Sequence, residues 1–469
     1  LKKFILLFYK IMNILKSKIT FFIFLSFIIS TIISLNFVLK LDKYESDGKD
    51  HFIIKGDVEG IWYEGEKYKQ DLINNKGILG SGSEIYRSYL PPRLIALFSS
   101  IFNFDLINKQ EGYSKINLGF DKFYYLLIQS ILFYLIVLKL YKSFLLKYDD
   151  KSTIFFTILF LCFCPSIFLF NSSFHTESLF FSLQLLIIIL LIKPSTDIFF
   201  NLLLGIIITI MFLQKTVSFL YIFIIIFYLI LYFKLKSIKP VLIISLVYIF
   251  ALVSIGYANY KRVGVFYFMP TQGSEAIFHY LAKPILTKSQ NISDEEAQQI
   301  LDHDLNNWIN ENKIKNISNE KNRIKFLKYK KKYTLDLIKN NLAISLKIIS
   351  WKSIQTGILS PQYLFYYHYK EYDRNIRPYY LKKDFYNFWM PIQLVYSLII
   401  YLIIILGLLN SLKNLNWKFN LFLITSAVYM FCILGWVGNS RYFLPSLIYL
   451  SFYFGYGIKF LINMKFLNK

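Results

Sequence analysis

Residues 51–68 read HFIIKGDVEGIWYEGEKY and hold four carboxylates, Asp57, Glu59, Glu64 and Glu66. On a helix, Asp57, Ile61, Glu64 and Tyr68 would share one face, with Glu59, Trp62, Tyr63 and Glu66 on the flanking ones. A carboxylate beside aromatic rings suits a sugar. The rings stack on the apolar sugar face, and the acid can take a hydroxyl proton. The competing reading is a solvated acidic loop with one aromatic anchor. Four other short stretches carry ionisable groups of interest. FNSSFHTESLFF (170–181) holds His175 and Glu177, and FLQKTVSF (212–219) holds Lys215. NYKRVG (259–264) holds Arg262, and GNSRYFLPSL (438–447) holds Arg441 and Tyr442. The first two have plainer readings. Glu177 suits the first turn of a helix, where the dipole favours an acid. Lys215 suits a snorkelling lysine. Arg441 is the exception, since a cation at a helix start opposes the dipole.

The elements that must position these groups are membrane helices. The chain has 469 residues, of which 55% are hydrophobic, 19% aromatic and only 17% charged. A soluble domain carries about 25% charged residues. Apolar runs, many about twenty residues long, recur at 19–41, 121–141, 152–171, 176–193, 198–213, 217–233, 240–257, 388–409, 419–437 and 443–462. A helix of about twenty residues crosses the hydrocarbon core. The expected fold is therefore an all-α polytopic membrane protein with roughly ten crossings.

The loops orient it. Lys2, Lys3, Lys10, Lys16 and Lys18 place the N-terminus in the cytoplasm, and Lys465 and Lys469 place the C-terminus there. The inner turns hold Lys139, Lys142, Lys147 and Lys151, then Lys193, then Lys234, Lys236 and Lys239, then Lys413 and Lys418. The short outer turns hold only Lys215 and Arg441. This asymmetry follows the positive-inside rule. It also accounts for much of the formal net charge of +24 without nucleic acid, which is not an expected partner. The first run is too long for a signal-peptide core and is expected to stay uncleaved. A start at Leu1 suggests a non-standard start codon or a truncated sequence. Cys162, Cys164 and Cys432 lie inside apolar runs and read as small buried hydrophobes.

The expected organisation has five parts. Residues 1–41 form the cytoplasmic N-terminus and first span, and 42–120 a first outer loop with the acidic motif and surface helices. Residues 121–257 form spans two to seven, 258–387 a long outer loop, and 388–469 the C-terminal spans. In the first loop, Pro91 and Pro92 suit the start of a short surface helix over 89–102. In the second, helices are expected at 293–310 and 318–340, the first opened by a capping box of Ser293 and Glu296. The run 342–360 carries Lys347 and Lys352 and reads as a surface helix or a re-entrant segment.

Carboxylates and cations on the outer face, at headgroup level, suit glycosyl transfer from a lipid-linked phosphosugar. Lysine or arginine charges stabilise the departing phosphate, and a carboxylate deprotonates the acceptor hydroxyl. A single displacement inverts the anomeric carbon.

In order, GDVEGIWYEGEKY, YLPPRLIALFSSIF, HTESLFF, QKTVSF, NYKRVGVFYFMPTQGSEAIFHYLA, ISDEEAQQI and RYFLPSL resemble the motifs of GT-C superfamily membrane glycosyltransferases. The likeness is to bacterial family-39-like proteins related to protein O-mannosyltransferases and the lipid A aminoarabinose transferase. It runs across nearly the whole chain. The resemblance implies a GT-C-like bundle with two long extracytoplasmic loops and a catalytic base in the first loop. It implies donor-phosphate contacts from Lys215 and Arg441, and a second acidic residue at Glu177. Arg262, His175, Trp62, Tyr63, Tyr68 and Tyr442 complete the expected substrate site. Asp57 follows Gly56, as in the family's Gly-Asp motif. Relatives often place Tyr four residues after the acid, and here Ile61 follows Asp57 at that distance while Tyr68 follows Glu64. Both acids therefore stay candidate bases.

The expected activity is inverting transfer of a hexosyl or pentosyl group from a polyprenyl-phosphate sugar to a lipid, glycan or protein. Membrane lipids are the surrounding partners, and the site faces the periplasm or exterior of a bacterial inner membrane. No resident cofactor is indicated, and a divalent metal stays open. The competing functions are an O-antigen polymerase or ligase, and a transporter or non-catalytic scaffold. The early acids argue against the first. The clustering of ionisable groups at the outer edge, instead of mid-span, argues against the second.

Overall fold

The computed structural model describes residues 18–36, 38–39, 57–74, 88–110, 113–116, 122–148, 150–171, 176–270, 272–314, 316–317, 319–357, 383–437 and 443–467. Ten apolar helical units coincide with the ten runs in the sequence. They are α1 (Lys18–Asn36), α4 (Phe123–Leu145), the pair α5 (Lys151–Phe163) and α6 (Pro165–Asn171), α7 (Glu177–Ile192), α8 (Ile198–Gln214), α9 (Tyr221–Phe233), α10 (Ile238–Val263), α16 (Lys383–Asn414), α17 (Trp417–Leu434) and α18 (Leu444–Leu467). By length and apolarity alone, six helical stretches among the described residues are fit to cross a membrane, or seven with the bent α5–α6 pair. Two causes separate that number from ten. First, α7 and α8 have 16 and 17 residues and span only about 25 Å. Second, 216–263 counts as one apolar stretch. Yet the Tyr248 hydroxyl donates to the Phe219 carbonyl at 2.9 Å, so α10 folds back along α9. The reversal is made at Lys234, with φ 54°.

Capping fixes several helix starts. Asp150 accepts from the Thr153 amide, Asp197 from Phe200 and Asn416 from Lys418. All three sit in expected inner turns, where a side-chain oxygen satisfies an orphan amide. The 53° bend between α5 and α6 falls at Cys164, which precedes Pro165 and is extended, as the proline ring demands.

α7 is apolar around its whole circumference and forms the centre of the bundle, with Phe180, Phe181, Leu185, Ile187, Ile188 and Leu191 fully buried. α1 is two-faced. Phe21, Phe24, Ile28 and Ile32 are exposed toward lipid, while Ser26, Ser30 and Ser34 face the bundle. Ser26 is 2.8 Å from the Tyr134 hydroxyl and donates to the Cys162 carbonyl. α16 and α18 cross at glycines: a Cβ on Gly407 would run into the Tyr453 carbonyl, and one on Gly457 into the Ile403 carbonyl. Such close crossings are how lipid-embedded helices gain packing energy.

Outside the bundle lie α2 (Asp57–Ile73), α3 (Leu90–Ile101) and a two-stranded hairpin, β1 (Ile107–Gln110) with β2 (Tyr113–Ile116). A second outer unit holds α11 (Gln272–Ile277), a π-helical turn (Phe278–Ala282), α12 (Lys283–Gln290), α13 (Asp294–Glu311) and α14 (Glu320–Asn340). Its small core is Phe278, Ala282, Leu286, Ala297 and Leu301. The capping box is formed, with Ser293 and Glu296 exchanging side-chain-to-backbone bonds. α15 (Leu342–Gly357) follows, and Thr356 donates to Gly435 at the outer end of α17. Leu342, Leu346, Trp351 and Ile354 are exposed along α15, as suits a helix on a membrane surface.

Candidate functional site

α2 is helical over the acidic motif, so the face expected from spacing exists. Ile61, Glu64 and Tyr68 lie on it and are buried, with Trp62 buried beside them and Tyr63 half-buried. Glu64 is only 4% exposed. Asp57 opens the helix, one turn before Ile61. α2 packs on α3 through Gly65, where a Cβ would stand 3.2 Å from the Pro92 carbonyl. Pro91 and Pro92 begin α3 as the sequence suggests, because an amide there needs no intrahelical partner.

A chain of polar contacts ties this loop to the outer unit. The Arg93 guanidinium lies 4.2 Å over the Tyr68 ring, and Arg93 Nη1 donates to the Tyr89 carbonyl at 2.7 Å. Asn259 Nδ2 donates to the Tyr89 hydroxyl at 3.0 Å and to the Tyr267 carbonyl at 2.8 Å. Arg262 Nη2 donates to the Tyr267 hydroxyl at 2.8 Å, and Nη1 to Glu320 at 2.6 Å. Burial pushes the Tyr89 phenol up to about 12, against the lowering effect of Asn259, so it stays protonated. Arg262 was expected at the substrate; its charge is engaged in this strut between α10 and α14.

At the turn after α8, Lys215 Nζ donates to Glu177 Oε1 at 2.7 Å. Glu177 is fully buried and Lys215 is 13% exposed. The two residues are therefore brought together as one ion pair, and much of the Lys215 charge is compensated. Gln214 Nε2 fixes the same corner by donating to the Thr176 carbonyl at 3.0 Å.

A cavity of about 640 Å³ opens beside this pair. Its floor is the outer span ends, with Thr176, Lys215, Thr216 and Val217 on one side and Ile433, Trp436 and Val437 on the other. Ile61 of α2, Ser88 and Pro91 close one flank. The segment 266–270 and residues of α11 close another, and Ile324, Leu327, Lys328 and Lys331 of α14 form the outer wall. Tyr280 also lines it from the π-helical turn, a wide turn of the sort that often marks functional sites. Trp436 and Tyr280 stand edge to face with ring centroids 6.5 Å apart.

Of the expected site residues, Lys215 lines the cavity itself, and Glu177 holds it from behind. Asp57 and Glu64 flank the cavity-lining Ile61 along α2, at i−4 and i+3. Trp62, Tyr63 and Tyr68 belong to the α2 packing and do not line the cavity. His175, Arg441 and Tyr442 fall outside the described residues, as does the Asp57 side chain. Among the described residues, no group of three or more His, Cys, Asp or Glu is placed to hold a metal ion. Tyr280, Trp436, Lys328 and Lys331 were not singled out in the sequence. A tryptophan just before a glycine-containing outer turn, and lysines three apart on one helix face, were their only signals.

No family model matches the chain, and no curated protein matches it. Among solved structures, it is similar to an archaeal oligosaccharyltransferase from Archaeoglobus fulgidus, solved with an inhibitory peptide and a dolichol-phosphate. That likeness has 11% sequence identity and a TM-score of 0.48, and covers 96% of this chain and 51% of the other. The chain thus spans about half the length of that protein.

Proposed function

We propose that this chain is a membrane glycosyltransferase of the GT-C type. It moves one sugar from a polyprenyl-phosphate donor to an acceptor hydroxyl on the extracytoplasmic face of a bacterial inner membrane. The observation that carries this reading is the cavity at the outer span ends, with Ile61 of α2 at one flank and Lys215, held by Glu177, in its floor. In this reading the polyprenyl tail lies against Val217, Ile433 and Val437, which line the cavity at the span ends, and the phosphosugar lies above it. The acceptor oxygen attacks the anomeric carbon, and its proton passes to a carboxylate of α2. The bond from that carbon to the phosphate oxygen breaks, and polyprenyl phosphate leaves with the electron pair. Lys215, held in place by Glu177, supplies the positive charge that meets that phosphate. Configuration at the sugar inverts.

Asp57 is assigned as the base and Glu64 as a positioning group, because Glu64 is packed inside the α2 face. The test is transfer of labelled sugar from polyprenyl-phosphate monosaccharides by the purified protein in nanodiscs. Asp57→Asn should lower kcat about a thousandfold, the scale of a lost general base. Glu64→Gln should lower activity less and leave the shape of the pH profile intact. Wild-type rates in both variants would remove α2 from the chemistry.

A further inference from the structure

The outer wall of the cavity carries charge that the donor chemistry does not account for. Lys328 and Lys331 sit one turn apart on α14 and both face the cavity, yet both are solvent-exposed. Among the described residues, neither has a carboxylate within ion-pair distance. The nearby acids are engaged elsewhere: Glu320 holds Arg262, and Glu275 holds Lys330 at 3.6 Å. Lys330 is also packed against the Phe278 and Phe326 rings. Across the cavity, Lys215 is paired with Glu177.

The lysines of α14 are not an even sprinkling. α14 carries eight basic and two acidic residues, while α13, in the same outer unit, carries six acids and no lysine or arginine. A general lysine bias would load both helices; here the charges are segregated, with the bases on the helix that walls the cavity. Exposed Lys321, Lys325, Lys328 and Lys332 follow one helical stripe, at i, i+4, i+7 and i+11. The stripe shares Lys328 with the cavity lining.

We propose that the acceptor is an anionic glycan, bearing carboxylate or phosphate groups, which lies along α14 and enters the cavity past Lys328 and Lys331. This rests on the glycosyltransferase reading only for the word acceptor. The span-end lining includes the apolar Val217, Ile433 and Val437, which suit the donor lipid, and the α14 wall is cationic, so a polar chain passing along it meets Lys328 and Lys331. Tyr280 and Trp436 lie deeper, where a sugar ring can stack.

The test measures binding of fluorescent oligogalacturonate to the full chain in phosphatidylcholine nanodiscs, with a dextran of equal length as the neutral control. Oligogalacturonate should bind and weaken with salt, and dextran should not bind. Lys328→Glu with Lys331→Glu should weaken oligogalacturonate binding about tenfold or more. Lys328→Arg with Lys331→Arg should retain it, and binding of labelled polyprenyl-phosphate sugar should be unchanged in both. Equal binding by the wild type and the Glu variant overturns the proposal. So does loss of donor binding alone, which would give these lysines to the donor phosphate. A third overturning result is a difference between wild type and Glu variant seen only as thermal stability in phosphatidylglycerol nanodiscs, which would make the stripe a headgroup contact. Selective binding without sugar transfer from any donor would sink the glycosyltransferase reading and leave the anionic-glycan site standing.

Discussion

At the scale of single residues, the ion pair of Lys215 and Glu177 is the feature with the largest consequence. Glu177 is fully buried, so its charge depends on a partner close by. Replacing Lys215 with Ala removes the cation 2.7 Å from that buried carboxylate, and the expected loss is about 3 kcal/mol. Lys215→Met with Glu177→Gln should recover most of it, since the buried charge is gone as well. Thermal unfolding in nanodiscs reads both variants. If the single and double variants melt together, the pair is not the reason for the loss. Activity should separate from stability here: the double variant should fold and yet transfer sugar poorly, because the phosphate loses its lysine. Arg262, expected in the substrate site, is likewise engaged within the chain, donating to Glu320, Tyr267 and Asn259.

At the scale of elements, the crossing of α16 and α18 leaves no room for a side chain at Gly407. Gly407→Val must push the helices apart, and should lower the melting temperature or abolish expression. Gly273→Ala, in α11 with open space where the methyl would go, should be neutral. Equal behaviour of the two would remove close packing as the explanation. The capping box of α13 gives a pH prediction. The Ser293 backbone amide holds the Glu296 carboxyl below its usual range, helped by the Ser293 side chain. A depressed folded value means the stabilisation is present above the ordinary carboxylate range and is lost as pH falls through the folded value. Exchange of the Ser293 amide, corrected for its intrinsic pH dependence, should therefore speed up toward acid. Glu296→Gln, which keeps an acceptor but no titrating carboxyl, should remove that dependence; an unaltered profile would show that the carboxyl contributes nothing.

At the scale of the whole molecule, the charge asymmetry of the turns and the place of the cavity must agree. If the cavity faces outward, Lys328→Cys is labelled by a membrane-impermeant maleimide on intact spheroplasts. Lys236→Cys, in the turn between α9 and α10, is labelled only after permeabilisation. Both are made with exposed Cys432 changed to Ser, while Cys162 and Cys164 are buried. The reverse pattern would turn the protein over and place the cavity in the cytoplasm, where a periplasmic acceptor cannot reach it. The strut from Tyr68 through Arg93, Tyr89, Asn259 and Arg262 to Glu320 joins the first outer loop, α10 and the outer unit. Arg262→Ala should loosen α14 from the bundle, seen as faster proteolysis within the outer unit. Unchanged proteolysis would limit the strut to a local role.

The helices themselves were written in local sequence. Apolar runs, Asp and Asn before helix starts, Pro91 with Pro92, and the Ser293–Glu296 box each act within about four residues of their own position. The expected 293–310 and 318–340 became Asp294–Glu311 and Glu320–Asn340. The helical face of Ile61, Glu64 and Tyr68 was legible for the same reason. What the sequence could not supply was partnership across the chain. Glu177 meets Lys215 from 38 residues away, and Glu320 meets Arg262 from 58. Those pairings decide which cations already hold an acid, as Lys215 and Arg262 do, and which hold none among the described residues, as with Lys328 and Lys331. Periodicity can say that a lysine lies on a given face of its helix. Only the packing of the outer unit over the span ends decides that this face closes a cavity, because a cavity is bounded by residues that share no local sequence.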